Sequence, residues 1–303
     1  MKENRKKVIL VLGPTASGKT ALGISIAKKY STEIVSADSR QIYKELNIGV
    51  ARPTIEELNS IPHHLIGHVS IHDYYNAGHF EKDALAAISV IFKNKDIAIM
   101  VGGTGLYMKS VCQGFDEIPA IDLDYRQKLN EKVEQEGIQF LLDLLAEKDP
   151  IIYNKIDKSN KHRVIRAAEV LLFTGNPISF YQNGLKKKRD FDIIKIGLNP
   201  EMAILEKNIA NRTNQMFDDG LLMETEKLFK HKSLNALQTV GYREIFDYYE
   251  GLSTLDEAKE NIKKNTRKYA KRQLTWFKKE ENIHWFNPND RDSIFQFLEN
   301  TVV

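Results

Sequence analysis

Two rhythms of apolar residues alternate along the chain. Short unbroken runs stop at glycines or polar turns: "VILVL" at Val8 to Leu12, "EIVSADS", "DIAIMVGG", and "FDIIKIGL" at Phe191 to Leu198. Between them apolar residues recur every three to four positions, as Leu22, Ile26 and Ala27 do in "ALGISIAKKY". Unbroken runs predict strands buried on both faces, and the slower rhythm predicts amphipathic helices. Their alternation predicts an α/β fold with a parallel sheet flanked by helices.

From about Phe115 to Lys188 the strand rhythm disappears. Asp122 is placed to cap "LDYRQKLNEKVEQE" before Gly137, and "NKHRVIRAAEVLLFTGNP" runs from an Asn160 N-cap to Gly175 and Pro177. The basic run "KKKRD" then returns the chain to the sheet. The expected organisation is a core begun by residues 1–114, an all-helical insertion domain at 115–189, and the rest of the core at 190–303. After Leu198 the pattern is helical again and includes a long helix from about Asp256 to Lys279.

Composition agrees with this and narrows the class. Apolar residues make up 42% and charged residues 28% of the 303, the balance of a soluble globular protein with room for two units. The start "MKENRKKVILVLG" is basic then apolar, but its apolar part is too short for an export signal and reads as a buried strand. No apolar stretch approaches the ~18 residues of a membrane span. The single cysteine, Cys112, excludes an intrachain disulfide and a cysteine zinc site, and points to a reducing cytoplasm.

Chemistry enters directly after the first strand. "GPTASGKT" (Gly13, Pro14, Thr15, Ala16, Ser17, Gly18, Lys19, Thr20) fits G-x4-G-K-[ST], with a strand before it and a helix after. Glycines let the backbone wrap an anion, Lys19 adds charge to the phosphates, and Thr20 is placed to ligate Mg²⁺. The motif does not name the reaction. Asp38, just past the second strand in "VSADSRQIY", sits at the edge where open α/β sheets bind ligands. It can take a proton from a nucleophile or hold Mg²⁺ through water, and it can also simply cap a turn with Ser39. "GGTGLY" brings Thr104 to the same edge.

Two further clusters stand out. Five of the eight histidines lie in "HHLIGHVSIHDYYNAGH" (His63, His64, His68, His72, His79), where Pro62, Gly67 and the lack of a matching ligand pattern favour a structural loop over a metal site. The net charge is only +3, yet Lys259 to Lys279 holds nine Lys or Arg against one Glu. Lys264, Lys268, Lys271 and Arg272 share one helix face there, interleaved with Tyr269, Trp276 and Phe277. Such a face either meets water, with its aromatics turned inward, or meets a nucleic-acid backbone.

The loop, "SADSRQIYKELNIGVARP", "PHHLIGH", "GGTGLYMKSV", "NKHRVIRAAEV", "ANRTNQMFDDGLLMETEKL", "TVGYREI" and "TRKYAKRQLTWFK" occur in an order that resembles the bacterial tRNA dimethylallyltransferases, or tRNA isopentenyltransferases. The likeness covers about Val8 to Lys278. It implies a P-loop nucleotide-kinase-like core with a helical insertion. It also implies transfer of a dimethylallyl group from dimethylallyl diphosphate to N6 of the adenosine 3′ of the anticodon, in tRNAs reading codons that begin with U. Asp38 matches the family's catalytic aspartate, and Arg212 in "ANRTNQM" matches an arginine on the diphosphate. Lys19 and Mg²⁺ on Thr20 complete the grip on the leaving group. Asp38, Ser39, Arg40, Gln41 and Thr104 match tRNA-contacting positions. His162, Arg163, Val164, Ile165 and Arg166 match a contact segment whose first residue is usually Gln, and Arg126 is a looser match. A cytoplasmic monomer is expected.

Three other readings remain at this stage. A small-molecule kinase would use the loop for ATP, an adenylate isopentenyltransferase would prenylate free AMP, ADP or ATP, and a non-catalytic tRNA-binding module would leave Asp38, Lys19 and Arg212 without a joint purpose.

Overall fold

The computed structural model describes residues 5–182, 184 and 186–302. It divides into two units, one comprising Met1–Gln113 with Lys188–Val303 and the other Gly114–Lys187.

In the larger unit six strands form one parallel sheet: β1 (Lys7–Leu12), β2 (Ile34–Ser36), β3 (His63–His64), β4 (Ile97–Gly102), β5 (Asp192–Leu198) and β6 (Ile283–Phe286). The spatial order is β3-β2-β4-β1-β5-β6. β1 is central, with Leu12 opposite Gly102 of β4 on one side and Gly197 of β5 on the other. Val8, Ile9, Leu10 and Val11 are fully buried, because helices cover both faces. One layer packs Phe80, Ile88 and Phe277 against Val8, Leu10 and Met100; the opposite layer packs Ile26 and Leu298 against Ile9, Val11 and Ile99.

The helices of this unit before the insertion are α1 (Lys19–Lys29), α2 (Ile55–Ser60), α3 (Ala77–Ile91) and α4 (Gly105–Gln113). The smaller unit contributes α5 (Leu123–Glu136), α6 (Gln139–Lys148), α7 (Pro150–Lys155), α8 (Lys161–Thr174) and α9 (Ile178–Tyr181). The remaining helices are α10 (Met202–Asp218), α11 (Leu221–Leu228), α12 (Arg243–Tyr249), α13 (Leu255–Phe277) and α14 (Arg291–Val302). Thr254 and Glu257 form a reciprocal capping box that starts the long α13. No helix among the described residues is long and apolar enough to cross a membrane.

The smaller unit has its own core, in which Leu141, Leu145, Val164, Ala168 and Val170 are fully buried. Asp122 and Asn160 cap α5 and α8 as the sequence predicts. The two ends of this unit meet, since a Cβ added to Gly114 would lie 2.6 Å from Cδ of Lys187.

Inside α8 the carboxylate of Glu169 is 1% exposed and binds two arginines. Arg126 donates from Nε at 2.5 Å and Nη2 at 2.9 Å, and Arg166 donates from Nη1 at 2.8 Å. Removing one partner of a buried pair strands the others. Glu169→Ala is therefore expected to destabilise the protein by about 3 kcal/mol, seen as a lower denaturation midpoint.

Two strands escape the sequence pattern. β3 has two residues, and β6 is a partly exposed edge strand within a charged stretch, so neither presents an unbroken apolar run.

Candidate active site

The phosphate loop takes its shape from two left-handed residues. Gly18 has φ 84° and Ala16, which carries a side chain, has φ 62°. Non-glycine residues hold that conformation only where the surroundings enforce it, and such strain gathers at functional loops. Gly18 is the N-cap of α1 and offers no side-chain cap, so the first N–H groups of an eleven-residue helix stay open to an anion. Gly13 and Pro14, at the start of the loop, are buried and outside the cavity lining. The cavity lining begins at Thr15, and Pro14 has no N–H to give; its carbonyl accepts the Lys19 ammonium instead.

The cavity measures about 210 Å³ and lies at the C-terminal edge of the sheet. Thr15 to Ala21 form its floor, Asp38 and Gln41 come from the segment after β2, Gly102 and Gly103 from the end of β4, Arg212 from α10, and Tyr269 and Gln273 from α13. Ile34, Val50, Pro53, Ile66 and Val101 add an apolar portion.

Its electrostatics suit an anion. Burial and the neighbouring Arg212 bring the Lys19 pKa down from 10.5 to about 7, and Asp38 only partly offsets them. Burial also lowers the Arg212 pKa, against the pull of Asp38 and Glu57. Arg212 Nη1 lies 3.4 Å from Thr15 Oγ1, which places the guanidinium over the phosphate loop. The buried Ser17 Oγ has no hydrogen-bond partner among the described residues, so the loop holds an unused polar group.

Asp38 closes a turn and faces the cavity at once. Its Oδ1 accepts the N–H of Arg40 at 2.9 Å and of Gln41 at 3.3 Å, closing a turn, while the residue lines the cavity. Ser39 is held by Thr104, whose Oγ1 accepts the Ser39 N–H at 3.0 Å and donates to Ser39 Oγ at 3.2 Å. Arg40 and Gln41, expected at RNA, spend their side chains inside the protein. Arg40 reaches the carbonyls of Asn235 and Ala236, and Gln41 reaches those of Val50 and Ala51. These bonds order the segments that frame the cavity.

Other expected RNA contacts sort by exposure. Lys264, Lys268, Lys271 and Arg272 are exposed on α13, whereas Trp276 and Phe277 pack into the sheet core and Tyr269 lines the cavity. In the smaller unit His162 and Arg163 are exposed at the start of α8. Val164 is 0% exposed and belongs to that unit's core, which corrects its place among the RNA contacts. Ile165 packs partly against the same core, and Arg126 and Arg166 share Glu169.

The histidines act singly. His64 Nε2 is 2.6 Å from Glu33, the His63 ring nitrogen 2.8 Å from the Ile61 carbonyl, and His72 meets His231 edge-on at 4.7 Å. No group of three His, Cys, Asp or Glu among the described residues could hold a metal. The Thr20 hydroxyl and the Asp38 carboxylate at one cavity instead suit a Mg²⁺ that keeps several waters and rides on substrate phosphates.

Sequence reasoning missed Gln273 and named Tyr269 only as an aromatic of the basic helix. A signal existed in "AKRQLTWF", where Gln273 interrupts a buried stripe of Ala270, Leu274 and Phe277. An amide on such a stripe needs partners.

Comparison with known proteins places this geometry. A family description reading IPP transferase matches residues 41–280. A protein from Christiangramia forsetii called tRNA dimethylallyltransferase is 44% identical over 97% of this chain and 98% of its own length. One of the same name from Flavobacterium johnsoniae is 46% identical over 97% of each. Among solved structures, the tRNA isopentenylpyrophosphate transferase of Bacillus halodurans superposes with a TM-score of 0.72 at 35% identity, covering 98% of this chain and 97% of that one. A eukaryotic dimethylallyltransferase described as acting on tRNA gives 0.81 at 28% identity, over 97% of this chain and 76% of that one. With likeness running through both the sheet core and the helical insertion, the chain belongs to the IPP transferase family.

Proposed function

We propose that this chain transfers a dimethylallyl group from dimethylallyl diphosphate to N6 of the adenosine immediately 3′ of the anticodon in tRNA. The observation that carries this reading is one small cavity holding a phosphate loop with two half-buried basic side chains, Lys19 and Arg212, a carboxylate and an apolar wall. A kinase site needs no apolar wall beside its phosphates, whereas a prenyl donor does.

In the reaction N6 forms a bond to C1 of the dimethylallyl group as the C1–O bond breaks, and diphosphate leaves with the bonding pair. N6 is a poor nucleophile because its lone pair is delocalised into the ring. Asp38 takes the N6 proton as the bond forms, its free oxygen acting while Oδ1 holds the turn. Lys19, Arg212 and the open N–H groups of α1 stabilise charge growing on the diphosphate. A Mg²⁺, held by Thr20 and the substrate's own oxygens, would neutralise part of that charge. The adenine must leave the anticodon stack to enter the cavity. Phosphates of the RNA meet the exposed Lys268, Lys271 and Arg272, with His162 and Arg163 serving the helical unit.

The deciding experiment incubates the protein with labelled dimethylallyl diphosphate and an unmodified anticodon stem-loop, followed by nucleoside analysis. Labelled N6-(dimethylallyl)adenosine in the RNA is expected. Label on free AMP with none on RNA would select an adenylate isopentenyltransferase, and tight ATP binding without donor binding would select a kinase.

Replacing Lys268 and Lys271 together by Ala should weaken tRNA binding and lower the slope of log affinity against log salt by roughly 1.5. An unchanged slope in filter binding removes this face from the RNA.

A further inference from the structure

We infer that Gln273 is a positioning residue that braces the diphosphate loop against the segment bearing the general base. The inference rests on the prenyl-transfer reading of the site.

Gln273 is 7% exposed on α13 and lines the cavity. Its Oε1 accepts the Thr15 N–H at 2.8 Å, and its Nε2 donates to the Gly103 carbonyl at 2.9 Å. One planar amide thus ties the start of the phosphate loop to the end of β4, elements about ninety residues apart in sequence. The tie continues toward Asp38. A Cβ on Gly102 would lie 2.1 Å from the Ala37 carbonyl oxygen, so the β4 end and the β2 end are in direct backbone contact. Thr104, next along, holds the Ser39 N–H.

Leaving-group grip and base therefore sit on two loops whose separation is set through Gln273. The fit admits no slack, because a Cβ on Gly103 would stand 2.2 Å from Nε2. Substitution at carbon needs nucleophile, base and departing diphosphate aligned together, so a small shift of one loop costs rate more than it costs affinity for RNA.

A carboxylic acid copies the amide only when protonated: its carbonyl oxygen accepts and its O–H donates. Ionised, it still accepts from Thr15 but repels the Gly103 carbonyl. Gln273→Glu is thus a reversible probe. Lys19, Arg212, Asp38 and Tyr269 face the same cavity in both proteins, so the variant-to-wild-type ratio at each pH removes their shared titration and reads the new carboxyl group together with its pull on Lys19.

The test measures kcat, KM for each substrate, stem-loop affinity and inorganic diphosphate affinity for wild type, Gln273→Leu and Gln273→Glu, with melting curves for all three. Gln273→Leu should lose about 10- to 100-fold in kcat while stem-loop affinity holds. It should also bind inorganic diphosphate about tenfold more weakly. The kcat ratio of Gln273→Glu to wild type should rise about fivefold from pH 8 to pH 5.5. Wild-type kcat and diphosphate affinity in Gln273→Leu, or a flat ratio in a folded Gln273→Glu, overturns the brace. Should wild type itself transfer no prenyl group, that reading falls, while weaker diphosphate binding by Gln273→Leu still reports the tie to Thr15.

Discussion

Asp38→Asn is expected to lower kcat by about 10² to 10⁴-fold, the range for loss of a general base, while tRNA affinity stays within a small factor. The substitution isolates chemistry from architecture. An asparagine oxygen still accepts the N–H groups of Arg40 and Gln41, so the turn that aims residue 38 at the cavity is kept. What disappears is a basic oxygen for the N6 proton. Single-turnover prenylation beside filter binding separates the two readouts. A variant that turns over at the wild-type rate would leave Asp38 with only its turn-capping role.

Lys19 should make donor binding depend steeply on pH. Burial and Arg212 hold its pKa near 7, so around neutral pH the neutral amine competes with the ammonium. A bound diphosphate favours the ammonium and raises that pKa. Donor binding should therefore take up a proton, and donor KM should rise as pH climbs above about 7, approaching tenfold per pH unit. Calorimetric titration in buffers of different ionisation enthalpy reads this uptake directly. A heat independent of buffer at pH 7.5 would mean that Lys19 is already charged. Lys19→Met should cost about 10² to 10³-fold in kcat/KM for the donor below pH 7, a cost that shrinks as wild-type Lys19 becomes neutral at higher pH, and should abolish the buffer dependence.

How much of this was legible depended on whether the information was local. β1, β2, β4 and β5 announced themselves because a strand covered on both faces must be apolar throughout. β3 and β6 did not, since an edge needs little burial and two residues make no pattern. The phosphate loop was legible because its function requires adjacent residues, and Asp38 because strand ends of such sheets meet at one edge. Gln273 was not, because its meaning lies in partners at Thr15 and Gly103, far away in sequence. Arg40 and Gln41 show the converse. Their place in a motif suggested RNA, but their side chains hold carbonyls of residues 50, 51, 235 and 236. Val164 shows that a contact motif on a helix must give every third or fourth position to the core.

The meeting of Gly114 and Lys187 bears on how the chain reaches this fold. β1 must join β4 and β5, strands separated by the whole helical unit, and an unstructured stretch of that length would tax their encounter. Loop-closure entropy grows with the number of free residues between the joined points. Once the helical unit has formed on its own core, its entry and exit stand together, and β4 and β5 approach β1 as if joined only by the α4 crossover. Folding of the insertion before the sheet would then be a kinetic aid, and weakening its core would slow sheet formation.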